Sequence, residues 1–301
     1  MLNLNRLRIL REVARLGSLS KAAEVIGHTV SAVSQQIATL EQETGAQLIE
    51  RHPRGVYLTE AGRTLAGHTD VILAEVHAAE LALAALGAGK TGQLRIASFT
   101  TANAVLLPHA VRLFVQRNPG LTLALTEADC DESTVMLERR EIDLALVYEF
   151  PAVPLRRKGL RLTPLLDDPL HVVLPAGHCL ADHPNLTLAD LADEQWIQGA
   201  HRSSTTSVLP HACRRAGFEP RISFRTDDQM TVRGLVSAGL GIALASSIAL
   251  RATPPDLVAR PLYDPALVRR IFTAVHADAP ALPAVDAMVG CLHETVPTAS
   301  E

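Results

Sequence analysis

The sequence predicts an all-α N-terminal domain built on a winged helix-turn-helix, then a long linker helix, then an α/β C-terminal region. Three observations carry this. Residues 1–58 read as short helices followed by a small hairpin, and residues 59–86 as one unbroken helix. From Gly92 onward, short apolar runs alternate with helical patterns and are punctuated by Gly and Pro.

At roughly 100–200 residues per domain, 301 residues make two or three folding units. A hydrophobic fraction of 48% with 20% charged residues supplies full cores and argues against disorder. The net charge is −4, so affinity for nucleic acid must rest on a local pattern. Arg6, Arg8, Arg11 and Arg15 break every apolar run near the N-terminus, and no signal peptide is read there. The uncharged stretch from Gly234 to Leu250 is slightly short of the ~20 residues that span a bilayer. With its glycines and with Ser237, Ser246 and Ser247 it reads as a buried helix-strand-helix segment. Cys130, Cys179, Cys213 and Cys291 are scattered, as suits free thiols in a reducing cytosol, and a cytoplasmic protein is expected. Cys179 lies between His178 and His183, but no second cluster has ligand-like spacing. No metal, no cofactor and no catalytic residue is expected.

Leu7, Leu10 and Ala14 recur at helical spacing and define a first buried face, which Gly17 stops. Ser20 is the expected cap of a second helix carrying Ala22, Ala23 and Ile26, where adjacent alanines suit a close helix crossing. Gly27 ends it and Thr29 caps a third. Val33, Ile37 and Leu40 then form one apolar face, while Ser31, Ser34 and Gln35 point elsewhere. A short helix, a tight Gly-containing turn and a capped helix with a small polar leading face make a helix-turn-helix. Such a helix reads base edges with its N-terminal residues. Gln47 to Thr59 holds two apolar runs around Pro53-Arg54-Gly55, a hairpin with Arg51 and Arg54 near its tip to meet phosphates. Residues 1–60 carry seven Lys/Arg against six Asp/Glu, a balance of +1, so two copies side by side would bind better than one.

Two copies are what the long helix can provide. Thr59 is its expected cap. Ala61, Leu65, Ile72, Val76, Ala79, Leu83 and Leu86 form a stripe with a gap at His68 and Thr69, over about 42 Å. A partner helix from a second chain is the economical cover for it. Gly87, Gly89 and Gly92 mark a flexible junction beyond.

The blocks Gly17-Ser18-Leu19-Ser20-Lys21-Ala22-Ala23-Glu24, Val33-Ser34-Gln35-Gln36-Ile37, Leu40-Glu41, Leu48-Ile49-Glu50-Arg51 and Leu58-Thr59-Glu60-Ala61-Gly62 together resemble the LysR-type transcriptional regulators. The likeness continues in Gly92-Gln93-Leu94-Arg95-Ile96, Leu107-Pro108, Asn118-Pro119, Asp143-Leu144-Ala145-Leu146, Ala216-Gly217-Phe218 and Val236 through Ile242, and so covers nearly the whole chain. It implies a C-terminal fold like periplasmic solute-binding proteins, two α/β lobes with a ligand cleft between them. The expected division is a winged helix-turn-helix domain at 1–58, a linker and dimerisation helix with hinge at 59–91, and an effector-binding domain at 92–301. Within the last, lobe I takes about 92–163 and 268–296, and lobe II about 164–267. The implied partners are double-stranded promoter DNA, a small-molecule effector, and a second chain in a homodimer through the linker helix. A homotetramer forms through the effector domains, and RNA polymerase joins where the outcome is activation. The implied DNA-binding positions are Ser20, Thr29, Val30, Ser31, Ser34, Gln35, Gln36, Arg51 and Arg54. Where the family often has Gln and then Pro at the start of the recognition helix, Val30 and Ser31 stand here, and Gln35 replaces a common Arg. Gln35 and Gln36 can pair with adenine edges. His178-Cys179-Leu180-Ala181 is a further departure, from His-Pro-Leu-Ala.

Gln93 to Ser98 reads as a buried strand. Phe99 to Asn103 reads as the turn into a helix carrying Leu106, Leu107, Val111 and Phe114. Ligands in open α/β sheets bind beyond the carboxyl ends of strands, and a following helix offers its first amides to anions. Thr100, Thr101 and Ala102 are therefore candidate effector contacts. Tyr148 and Glu149, after the strand from Asp143 to Val147, form a second group. Arg202, Ser203 and Ser204, after the short run at Trp196-Ile197, form a third, and Asp227 completes the set. Arg202 in a Ser/Thr-rich turn points to a carboxylate effector, and Glu149 opposite makes an amino acid conceivable.

Rival readings are weaker. Gly87-Ala88-Gly89-Lys90-Thr91 resembles the end of a phosphate-binding loop, but Ala84 stands where its first glycine belongs, and a helix precedes it in place of a strand. No Gly-x-Ser-x-Gly elbow supports a hydrolase. A solute-binding protein suits residues 92–301 alone. A DNA-binding regulator whose C-terminal domain serves only oligomerisation, without a ligand, is the alternative that the residues leave open.

Overall fold

The computed structural model describes residues 2–53, 55–85, 92–155, 158–200, 207–252 and 254–296. The chain divides into two compact units, Met1–Lys90 and Thr91–Glu301.

The N-terminal unit runs α1 (Leu4–Leu16), α2 (Leu19–Ile26), α3 (Val30–Thr44), β1 (Ile49–His52), β2 (Gly55–Leu58) and α4 (Glu60–Ala85). Leu7, Leu10 and Val13 of α1 meet Ala22 and Ala23 of α2 and Val33, Ile37 and Leu40 of α3 in one buried core. Helical periodicity dictates this, because each set lies on one face of its helix. The cap of α2 is Ser18, not the expected Ser20. Ser18 accepts from the Lys21 amide, and the helix starts early enough to carry Ser20 exposed in its first turn. Gly27 ends α2 at φ 74, a left-handed conformation that costs glycine little. Thr29 then caps α3 by accepting from Ala32 N. The strands β1 and β2 pair antiparallel, and the Val56 amide donates to Gly17 O at 2.9 Å, which ties the hairpin to the end of α1.

Thr59 caps α4, accepting from Gly62 N at 3.0 Å. The stripe expected to face a second chain is divided. Leu65 and Ile72 pack on the domain's own core. Thr69, in the expected gap, is fully buried and returns its hydroxyl to Leu65 O at 2.8 Å. Ala61, Ala79 and Leu83 are exposed, and Leu86 lies outside the described residues. Periodicity fixes a helical stripe but not which neighbour covers each part of it.

The C-terminal unit holds β3 (Gly92–Ser98), α5 (Thr100–Val105), α6 (Leu107–Arg117), β4 (Leu121–Glu127), α7 (Cys130–Glu138), β5 (Leu144–Glu149), β6 (Leu160–Pro175) and β7 (Gln195–Gln198). After these come α8 (Val208–Arg215), β8 (Arg221–Arg225), α9 (Gln229–Ser237), β9 (Ile242–Ser246), β10 (Leu257–Pro261), β11 (Val268–His276) and α10 (Pro283–Thr295). The single helix expected after Phe99 is two, parted at Leu106, with Pro108 in the first turn of α6, where its missing N–H is harmless.

One mixed sheet runs β4-β3-β5-β11-β6-β9-β7-β8, with β10 also on β6. Its two ends are parallel triplets, β4-β3-β5 and β8-β7-β9. Between them β11 and β6 run antiparallel. The strand β6 belongs to both halves, pairing with β11 from Leu160 to Pro169 and with β9 from Leu170 to Val173. The expected lobe boundary at 163/164 therefore falls inside a strand. Pro164 stands beside the bulge opposite Ile271 and Phe272, and Pro169 stands where β6 changes partner. Both are places where a ladder tolerates a missing donor. Separate cores form on the two halves, one around Leu137, Ala145 and Val147 and one around Val172, Trp196 and Leu209.

Candidate functional site

In the N-terminal unit the exposed leading face of α3 carries Val30, Ser31 and Gln35, with Ser34 and Gln36 half-buried beside them. Two contacts hold this face. Arg51 on β1 donates from Nη2 to Ser34 Oγ at 2.8 Å, so hairpin and helix present one surface. Arg6 of α1 donates from Nε to Gln36 Oε1 at 3.0 Å and pairs through Nη1 with Glu43. Thr29 Oγ1 lies 3.0 Å from Ser31 Oγ. The structure thus brings together Ser31, Ser34, Gln35, Gln36 and Arg51, with Ser20 and Thr29 exposed nearby in sequence. Arg54 lies outside the described residues.

In the C-terminal unit a cavity of about 480 Å³ opens where both parallel triplets end. Phe99, Thr100 and Thr101 follow β3, Glu127 to Asp129 follow β4, and Tyr148 and Phe150 close β5. From the other half come Gln198 and Gly199 after β7, Thr226 and Asp227 after β8, and Ala243 to Ser246 of β9. Leu170 of β6 and Arg269 of β11 lie between the two groups. Carboxyl strand ends are where an α/β sheet leaves a crevice, and this sheet has two such edges turned to one space.

Arg269 is the residue that sequence reasoning missed. It is 6% exposed. Its Nε and Nη2 donate to Asp168 Oδ2 at 3.0 and 2.5 Å, and Nη2 also reaches Thr101 Oγ1 at 3.1 Å and Ser246 Oγ at 3.0 Å. The guanidinium lies 4.9 Å from the Phe99 ring centroid and 4.8 Å from that of Tyr148, within cation–π range of both. Asp168 also accepts from Ile248 N at 3.1 Å. The signal in the sequence is a pair of doublets, Asp167-Asp168 and Arg269-Arg270, each set in an apolar run that a strand would otherwise bury.

The other charged residues of the described lining are acidic. Glu127 accepts from Thr100 Oγ1 at 3.1 Å and Asn103 Nδ2 at 3.2 Å. Asp129 caps α7 through Glu132 N, and Asp227 accepts from Ala200 N at 3.0 Å. Asp228 caps α9, and the Thr231 hydroxyl, with the Met230 and Thr231 amides, holds its carboxyl below the usual carboxylate range. A depressed folded-state value contributes stability above the ordinary carboxylate pKa and loses it as pH falls through the lowered one. The melting-temperature advantage of wild type over Asp228→Ala should accordingly shrink on acidification. An advantage that stays constant from neutral pH to pH ~3 would contradict this role for the cap.

Of the expected effector contacts, Thr100, Thr101, Tyr148 and Asp227 line the cavity. Ala102 and Glu149 do not. Ala102 is fully buried in α5. Glu149 is buried on the opposite side of β5 from Tyr148, accepting from Leu155 N at 3.1 Å, because successive strand residues face opposite ways. Arg202, Ser203 and Ser204 lie outside the described residues. Nearby Cys130 receives the Tyr148 amide at 3.2 Å, and burial pushes its thiol up to about 12, so it is protonated and unreactive at neutral pH. Among the described residues no helix is long and apolar enough to cross a membrane.

Two family models match the chain. Residues 4–63 match the bacterial regulatory helix-turn-helix protein, lysR family, and residues 87–297 match the LysR substrate binding domain. The chain is 31% identical over 305 residues to a probable HTH-type transcriptional regulator, LrrA, of Synechococcus elongatus, covering 98% of each chain. It is 32% identical over 244 residues to the RuBisCO operon transcriptional regulator of Allochromatium vinosum, covering 81% of this chain and 79% of that one. Among solved structures, a full-length OxyR variant from Pseudomonas aeruginosa superposes with a TM-score of 0.73 at 22% identity, over 98% of this chain and 96% of that one. Full-length CbnR complexed with its target DNA gives a TM-score of 0.63 at 22% identity, over 98% and 100%. At that identity the two structures speak to fold.

Proposed function

The chain belongs to the LysR family of transcriptional regulators, DNA-binding and effector-binding proteins that are not enzymes, and from that premise we propose that a small molecule held between the two halves of its C-terminal sheet controls its grip on promoter DNA. The observation that carries this is the cavity itself. It has the volume of a small-molecule site and mixes aromatic walls with a few placed polar groups. A ligand touching both halves favours one arrangement of them by its difference in affinity for the two. An effector bearing a carboxylate is proposed on Arg202; Glu149, the ground for an amino acid, lies on the other side of β5 from Tyr148 and no longer supports one.

On the DNA side, Ser31, Ser34, Gln35 and Gln36 are proposed to meet base edges and Arg51 phosphate, with Thr29, Val30 and Ser20 at the margin of the face; Arg54, outside the described residues, is proposed as a further phosphate contact. The match of residues 4–63 to the lysR-family helix-turn-helix model supports this reading. Pairing of two chains through α4 in a homodimer, and of dimers in a tetramer, would set two such faces on one duplex. Ser34→Ala and Gln35→Ala test the reading face after genome-wide mapping has given the bound promoters. Each should lose about 1–3 kcal/mol of base discrimination, roughly 5- to 150-fold. Unchanged discrimination in both would remove the assignment.

A further inference from the structure

We infer that Arg269 is the inner anchor of the effector, donating from Nη1 to an uncharged oxygen of the bound molecule, a carbonyl or a hydroxyl. The inference rests on the cavity being the effector site and names which group of the effector enters it first.

Three observations carry it. Arg269 lines the cavity although it is only 6% exposed. Its Nε and Nη2 are fully engaged, by Asp168, Thr101 and Ser246, while Nη1 has no hydrogen-bond partner among the described residues. With those two engaged, Nη1 is the guanidinium nitrogen left to meet a ligand in the cavity that Arg269 lines. A guanidinium carries five N–H donors, and one that faces an open cavity donates to water until a ligand oxygen takes the water's place. The geometry is also fixed in advance. Asp168 faces Arg269 directly across the β6–β11 ladder, and the Phe99 and Tyr148 rings lie against the guanidinium. An anchor so placed loses little freedom on binding.

The charge of the accepting group follows from what surrounds it. Asp168 already matches the charge of Arg269. Among the described residues the other charged groups lining the cavity are Glu127, Asp129, Glu132 and Asp227, with no Lys or second Arg. The Glu132 amide at the start of α7 is already met by Asp129, and the Met230 and Thr231 amides of α9 by Asp228. An anion brought to Nη1 would face these carboxylates, whereas a carbonyl or hydroxyl oxygen takes the same hydrogen bond without repulsion. The oxygen would also lie beside Thr101 and Ser246, whose hydroxyls share the Nη2 side.

The test is a thermal-shift and calorimetry panel on the full-length protein, using amides, sugars, hydroxy compounds, carboxylates, amino acids, phosphates and simple amines. Arg269→Lys keeps the charge opposite Asp168 and removes the Nη1 donor. The double variant Arg269→Gln/Asp168→Asn removes both charges together and guards against a fold defect in the single one. The expected result is a carbonyl or hydroxyl compound that binds wild type and loses at least tenfold in affinity in both variants, while both melt cooperatively. Equal binding by wild type and variants overturns the anchor and leaves the cavity reading standing. If the compounds that depend on Arg269 are anions with no carbonyl or hydroxyl apart from the charged group, the uncharged oxygen is overturned. If no compound of the panel binds wild type, the effector reading of the cavity falls, and the anchor with it.

Discussion

Replacing Asp168 with Ala is expected to lower the unfolding free energy of the C-terminal unit by about 3–5 kcal/mol, because it strands a buried cation. The side chains of Arg269 and Asp168 are 7% and 0% exposed. Without the carboxylate, the guanidinium keeps two hydroxyls and two aromatic faces as partners, none of which carries compensating charge. The Ile248 amide loses its acceptor at the same stroke. For a unit of this size the loss corresponds to a melting temperature lower by about 6–20 °C. Asp168→Asn/Arg269→Gln should recover a good part of it, since removing both charges costs less than removing one. Urea unfolding of the three proteins checks this. An Asp168→Ala protein within about 1 kcal/mol of wild type, on the order of measurement error, would show that the pair does not hold the sheet.

Gly62→Ala is the second large effect. A Cβ there would fall well inside the van der Waals envelope of the Leu48 backbone carbonyl, with Leu48 C at only 3.0 Å. That carbonyl cannot simply move aside, because it accepts from the Thr59 amide at 3.0 Å and sits at the foot of the hairpin. Either α4 or the hairpin must shift, at a cost of about 3 kcal/mol. The shift would also displace Arg51 from Ser34, so promoter affinity should fall with stability. Gly67, on the same helix, is the control. A Cβ there meets nothing within 4 Å, and Gly67→Ala should gain about 1 kcal/mol from helix propensity alone. Melting curves and promoter binding of the two variants, side by side, decide it. Equal behaviour would mean that the close approach at Leu48 has no consequence.

The N-terminal unit was the more legible in sequence, because amphipathic spacing and caps are local signals. Val33, Ile37 and Leu40 lie together whatever the rest of the chain does. Where reading slipped, the information was ambiguous or long-range. Ser18 and Ser20 are equally good caps by residue type, and only the helix start separates them. Leu65 and Ile72 belong to an apolar stripe that periodicity reveals, but their partner, the core of α1 to α3, is a tertiary fact. The strand β6 carries Pro164, Pro169 and Pro175, which argue against a central strand until its bulge and its change of partner are seen. Arg269 and Asp168 lie 101 positions apart, and nothing local announces that they pair. Glu149 is different, since strand alternation alone says that Tyr148 and Glu149 cannot both face one space.

Pro169 has a mechanical consequence. It brings no N–H to the ladder where β6 leaves β11 for β9, so one donor is missing there and the missing rung marks a crease. Immediately beside that crease Asp168 and Arg269 act as a rivet. A twist of one half against the other is expected to fall at this crossing, with the rivet keeping β6 and β11 in register.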